Sequence, residues 1–141
     1  MIFLLCSLLC IKTIIPAPAA ALPHQDKIYP IAVSFGSMCC GPSSDQFLKD
    51  FVKKFNKKNG AKITGEKYAG CGREGEFVIV FSLNKTKKNS CNQFMKELEK
   101  LLPQQEAKTK KAKSSSGGFQ KLTDVKASDY SHCRLGKTKW I

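Results

Sequence analysis

Apolar positions change their period several times along this chain, and each change marks an element. Ile31-Ala32-Val33-Ser34-Phe35 alternates apolar with small residues, the two-residue period of a strand with one buried face. Gly36-Ser37-Met38-Cys39-Cys40-Gly41-Pro42 interrupts it. From Ser43 to Asn59 the period lengthens, and Phe47, Leu48, Phe51, Val52 and Phe55 fall on one stripe of a helix whose polar face carries lysines. Ser43-Ser44-Asp45-Gln46 has the form of a capping box, with the hydroxyl taking the third amide and Gln46 returning to the cap. Asn59-Gly60 supplies the stop.

Ala61 to Ala69 reads as a second strand around Ile63 and Tyr68, and Gly70-Cys71-Gly72-Arg73-Glu74-Gly75 as a glycine-rich reversal. Phe77-Val78-Ile79-Val80-Phe81 is apolar on both strand faces, which predicts a central strand covered by helices on at least one side. A second capping box, Ser90-Cys91-Asn92-Gln93, opens a second helix with the stripe Phe94, Met95, Leu98, Leu101 and Leu102, and Pro103 marks its expected end. Residues 104–118 are rich in Lys, Ser and Gly and read as a flexible loop. Phe119 to Lys126 is the last expected strand; the tail beyond it holds Cys133 and Trp140.

The order strand, helix, strand, strand, helix, strand predicts an α+β fold of the βαββαβ kind. This is the split βαβ or ferredoxin-like arrangement: one antiparallel sheet with two helices on one face, here stabilised by disulfides. That architecture hosts many unrelated functions, and the motifs point to no particular family.

The N-terminal stretch changes the picture of where this domain resides. Met1 to Ile15 is apolar apart from Lys12 and the small polar residues Ser7 and Thr13, and the small residues of Ala19-Ala20-Ala21 follow. This predicts a signal peptide over 1–21, cleaved after Ala21, and a secreted, periplasmic or otherwise extracytoplasmic domain over 22–141. The alternative is an uncleaved N-terminal anchor, although Lys12, Pro16 and Pro18 interrupt the stretch before it reaches the roughly 20 residues of a spanning helix.

Lys and Arg total 24 against 11 Asp and Glu, a formal charge of +13. That balance attracts an acidic protein, a glycan or an anionic membrane surface through a field screened over about 8 Å at physiological salt. Lys49, Lys53, Lys54, Lys57, Lys58 and Lys62 form one concentration, and Lys108, Lys110, Lys111 and Lys113 another. Nucleic acid is disfavoured as a partner by export and by Phe47, Phe51 and Phe55, which fall on the buried stripe. Hydrolase signatures are missing: no Gly-x-Ser-x-Gly occurs, and the two histidines suggest no triad.

The cysteines carry the candidate chemistry. In the expected antiparallel sheet, Cys39-Cys40 and Cys71 share one end, whereas the start of the second helix and the finish of the last strand share the other. This predicts two bridges, Cys71 to Cys39 or Cys40, and Cys91 to Cys133, both plausible in an oxidising compartment. The surplus thiol, Cys39 or Cys40, would lie before a helix N-terminus that favours the thiolate, with Arg73 approaching from the facing loop. Ser43, Ser44 and Arg73 form a candidate anion site where backbone amides open the first helix. Spacing argues against zinc ligation by Cys39, Cys40, Cys71, His132 and Cys133, so no metal or cofactor is expected. Asn84-Lys85-Thr86 fits the glycosylation sequon.

The function expected is that of an exported, disulfide-stabilised domain that binds a partner and is not an enzyme. The alternative is a thiol-dependent oxidoreductase or a thiol- or metal-binding protein using Cys39, Cys40 and Cys71.

Overall fold

The computed structural model describes residues 26–111 and 117–141. The export segment expected at 1–21 and residues 112–116 of the expected loop lie outside them. Strand β1 (Ile28–Phe35), helix α1 (Gln46–Asn59), β2 (Thr64–Ala69), β3 (Phe77–Ser82), α2 (Lys88–Lys111) and β4 (Phe119–Lys126) succeed one another in the expected order. A 3-10 turn (Ala127–Tyr130) and a further strand, β5 (Gly136–Lys139), follow. The fold is α+β: the two helices accompany one five-stranded antiparallel sheet in the order β4-β1-β3-β2-β5.

Both helices press the same face. Ile31, Val33 and Phe35 of β1, Phe77, Ile79 and Phe81 of β3, Leu48, Val52 and Phe55 of α1, and Phe94, Leu98 and Leu102 of α2 belong to one buried cluster. Each such side chain contributes about 1.5–3 kcal/mol when fully withdrawn from water. The opposite face holds Tyr29, Ala32, Tyr68, Val78, Val80, Val125 and Cys133 in a second cluster. Both faces of β3 are therefore covered, which is why Phe77 to Phe81 carries no polar alternation.

The tail covers the second face. Lys126 pairs with Ile28, and Ala127 N–H bonds to the Lys27 carbonyl, so β4 finishes beside the start of β1. Tyr130 then packs on Tyr68 with ring centroids 5.2 Å apart, and the Arg134 and Leu135 amides donate to the Gly70 and Ala69 carbonyls at the far end of β2. From there β5 returns along β2, from the pair Gly136 and Ala69 to the pair Lys139 and Glu66. Trp140 finally joins the helix-side cluster beside Phe81. Gly65 makes room for it: a Cβ there would lie 2.6 Å from the indole Cε3.

Two helix boundaries differ from expectation for local reasons. Helix α1 begins at Gln46 rather than Ser43, with Asp45 at the N-cap and no side-chain cap. The Asp45 carboxylate is drawn instead to Trp140 and Lys67, and Ser44 Oγ accepts from the Gln46 amide at 3.2 Å. Its end is as expected, with Gly60 left-handed at φ 58 and donating to the Asn56 carbonyl.

Helix α2 begins at Lys88, ahead of Ser90, and runs through Pro103 to Lys111. Residues 104–111, expected in a flexible loop, are therefore helical. Proline removes one donor, but Leu98 and Leu102 in the turn before it are buried in the core and anchor the helix there. Beyond it, Gln104 to Lys108 are strong helix formers, supported by an ion pair of 3.2 Å between Lys110 and Glu106.

Candidate functional site

The loop from Gly36 to Asp45 and the reversal from Gly70 to Glu76 meet at one end of the sheet, as expected. A Cβ on Gly41 would lie 3.9 Å from the Glu74 carbonyl, and one on Gly75 would lie 4.0 Å from Pro42. Cys39 and Cys40 are exposed on this loop with their sulfurs 3.3 Å apart, and Cys40 has a left-handed φ of 65.

Cys71, however, is bonded to Cys133. Neither expected bridge forms: Cys71 joins neither Cys39 nor Cys40, and Cys91 does not join Cys133. The expectation placed Cys133 where β4 finishes, whereas the tail carries it across the sheet to the Gly70 end. Cys91 stays at the other end as a half-buried free thiol that donates to the Leu83 and Thr86 carbonyls at 3.8 and 3.6 Å. The alternative reading, thiol chemistry using Cys39, Cys40 and Cys71, thus meets a Cys71 already bonded to Cys133.

Ser43, Ser44 and Arg73 also come to this end, in company with carboxylates. Ser43 Oγ donates to the Gly117 carbonyl at 3.5 Å, Ser44 accepts from Gln46, and Asp45 occupies the N-cap position with its carboxylate turned to Trp140 and Lys67. Arg73 is exposed between Gly72 and Glu74, and the guanidinium that contacts this turn belongs to Arg134, which donates to the Gly72 carbonyl at 3.1 Å. Asp45, Glu74 and Glu76 are the carboxylates of the same two segments. Among the described residues no group of three or more His, Cys, Asp or Glu is placed to hold a metal ion.

Two carboxylates act as clamps between elements. Asp45 accepts the Trp140 indole N–H at 2.8 Å and Lys67 Nζ at 3.3 Å, with Lys49 Nζ 4.0 Å away. Burial alone would raise its pKa, but the indole hydrogen bond and the two ammonium groups outweigh burial and hold it below the ordinary aspartate value. Glu66 accepts from the Tyr29 hydroxyl, from Lys27 at 3.2 Å and from Lys137 at 3.5 Å. Burial opposes ionisation here too; the Tyr29 and Lys27 hydrogen bonds and the flanking lysines leave Glu66 below its usual range. Burial and the Glu66 bond push the Tyr29 phenol well above its usual value. Glu66 and Lys137 line an open groove of about 340 Å³ along β2 and β5.

The opposite end of the sheet differs sharply in charge. Lys57, Lys58 and Lys62 close α1 and lead into Thr64, while Lys85, Lys87 and Lys88 follow Ser82 into α2. The two segments touch through the Lys62 amide, which donates to Thr86 Oγ1 at 3.3 Å. Asn56 fixes the first by bonding both the Ile63 carbonyl at 2.8 Å and the Ile63 amide at 3.1 Å. The Thr86 amide to the Leu83 carbonyl, 2.9 Å, closes the second. Together with Lys53 and Lys54 on α1, all these lysines are exposed, and none has an ion-pair partner among the described residues.

No Asp or Glu lies between Asp50 and Glu66, or between Glu76 and Glu97. This lysine pole is the candidate site. Its α1 half stands out in the sequence as a lysine concentration; the joining of Lys85, Lys87 and Lys88 to it depends on tertiary contact. The usable signal was the pair of acid-free runs.

Lys88 stands at the first position of α2, and the first turn of that helix holds no acid. A cation there opposes the positive end of the helix dipole. No helix among the described residues is long and apolar enough to cross a membrane. Of the exposed large apolar side chains among the described residues, Met38 and Leu135 lie at the cysteine end of the sheet, whereas Ile28, at the start of β1, lies at the same end as the pole.

Comparison with protein-family models, curated proteins and solved structures returns no match for this chain.

Proposed function

We propose that this is an exported, disulfide-stabilised, non-enzymatic domain that binds a polyanionic glycan chain through its lysine pole. The observation that carries the reading is the meeting of two acid-free runs, 51–65 and 77–96, where the last turn of α1, Lys62 and the turn before α2 come together. Like charges held together on hydrogen-bonded turns repel one another, and an anionic chain relieves that repulsion while steering its own approach. Binding rather than catalysis is favoured because Asp45 and Glu66, the carboxylates held below their usual range, are engaged as clamps between elements. A glycan is favoured over a membrane surface because, of the exposed large apolar side chains among the described residues, Ile28 alone lies at this end of the sheet, too little to seat in a headgroup layer.

Export is the other half of the proposal. It rests on the signal peptide read at 1–21 and on the Cys71–Cys133 disulfide, which suits an oxidising compartment. We read the architecture as a split βαβ sheet, β4-β1-β3-β2, extended by β5 at its β2 edge, a frame that sets the cysteine loops and the lysine pole at opposite ends.

The test is retention of the mature chain on immobilised heparin against sodium chloride, beside a neutral glycan resin and phosphatidylserine vesicles. Heparin retention that falls with salt and is lost on reversing Lys57, Lys58, Lys85 and Lys87 to Glu is expected. Retention indifferent to ionic strength or to those reversals sinks the proposal, and vesicle binding that exceeds heparin binding assigns the pole to a membrane surface instead.

A further inference from the structure

Asn84-Lys85-Thr86 lies in the middle of the lysine pole. Of the asparagines in the chain, Asn56, Asn59, Asn84, Asn89 and Asn92, Asn84 alone is followed two residues later by Ser or Thr. Asn56 and Asn59 spend their side-chain amides on the Ile63 and Phe55 carbonyls. Asn84 is exposed on the turn between β3 and α2, and its side chain has no hydrogen-bond partner among the described residues. The turn is flanked by exposed Lys85, Lys87 and Lys88, with Lys62 held against it through Thr86.

We propose that Asn84 is an N-glycan acceptor and that its occupancy masks the lysine pole. The modification is a group transfer. Asn84 Nδ2 attacks the anomeric carbon of an oligosaccharide carried on a lipid diphosphate, the carbon–oxygen bond to the diphosphate breaks, and Nδ2 gives up one proton as the new carbon–nitrogen bond forms. The product is bulky and strongly hydrated, and it leaves from the tip of the turn between the lysines. An occupied site therefore excludes an anionic chain from Lys85, Lys87 and Lys88 without altering their charge. This second half rests on the polyanion-binding reading; the acceptor assignment does not.

Thr86 also serves the fold, because its hydroxyl accepts the Lys62 amide, so the variants must separate the two roles. Asn84→Gln removes the acceptor and keeps that hydrogen bond, and Thr86→Ser keeps both. The experiment is secretion of the full chain with its N-terminal segment from a glycosylating eukaryotic cell, with intact mass read before and after endoglycosidase treatment. The expected result is a mass increment that the enzyme removes, present in wild type and Thr86→Ser and lost in Asn84→Gln. Wild type secreted at its unmodified mass, or an increment that persists in Asn84→Gln, overturns the acceptor assignment. Heparin chromatography of the same samples should elute Asn84→Gln at higher salt than glycosylated wild type. Equal elution overturns the masking and leaves the acceptor standing. Failure of both forms to bind overturns the polyanion reading, and masking with it.

Discussion

Trp140 donates its indole N–H to Asp45 Oδ2 across 2.8 Å, and this one bond ties the C-terminus to the start of α1. The bond is partly buried, and Lys67 and Lys49 hold the same carboxylate from β2 and from the helix itself. Trp140→Phe should cost at least about 1–3 kcal/mol in urea unfolding, because the carboxylate loses its neutral donor and the smaller ring gives up part of the packing. A variant as stable as wild type would show that the bond contributes nothing.

The same carboxylate sets an acid dependence. Asp45 and Glu66 both have folded-state pKa values below their unfolded ones. The stability each contributes is therefore complete above its unfolded value, about 4, and is lost as pH falls through the depressed folded value. Denaturation midpoints should be flat from neutral pH down to about 5 and then drop, and Asp45→Asn with Glu66→Gln should lower the plateau and flatten the drop. An acid limb unchanged in the double variant would assign it to other carboxylates.

Much of this arrangement is legible in the sequence. Phe47 to Phe55 and Phe94 to Leu102 place the helices because their apolar stripes have a helical period and end up buried. Phe77 to Phe81 declares a central strand because both of its faces are covered. What escaped were features made by backbone pairing and chain path. Gly136-Lys137-Thr138-Lys139 carries no apolar alternation, since β5 lies at the sheet edge and pairs with β2 through its main chain. The partner of Cys71 was hidden for the same reason: it depends on a tail that crosses the second face through Tyr130. Residues 104–111 escape as well, because their polarity resembles that of a loop while Gln, Glu, Ala and Lys are strong helix formers.

Cys71 and Cys133, 62 residues apart in sequence, close a large loop. In the chain-entropy account a bridge over that span stabilises by about 4 kcal/mol, a large share for a small domain. Cys133→Ser and the double variant with Cys71→Ser should therefore lose similar stability, since either change opens the same loop. Peptide mapping without reductant should recover the two cysteines joined. A fragment linking Cys91 to Cys133 would overturn the tail path described for the second face.

Pro103 sits inside α2 and is exposed, flanked by buried Leu102 and half-buried Glu106 one turn on. The amide it lacks would have met the Glu99 carbonyl. Pro103→Ala restores that donor at a site where the helix continues on both sides, so it should raise stability, by up to about 3 kcal/mol from propensity alone. Thermal unfolding by circular dichroism is the measurement. A lower midpoint would mean that a bend at Pro103 is needed to seat Leu98 and Leu102 together.

Lys88 offers the sharpest separation of stability from binding. At the first position of α2 its charge opposes the helix dipole, and Lys85 and Lys87 crowd it with like charge in an acid-free run of the chain. Lys88→Glu reverses both effects and should stabilise the fold by about 0.3–1 kcal/mol at low salt, a gain that shrinks as salt is added. The same substitution places an anion inside the lysine pole and should lower the salt concentration at which the protein leaves heparin. A surface with no partner would show the gain without the loss. Stabilisation with undiminished heparin retention would therefore remove Lys88 from the site, and the paired outcome would mark it as a lysine kept at the expense of the helix for the sake of binding.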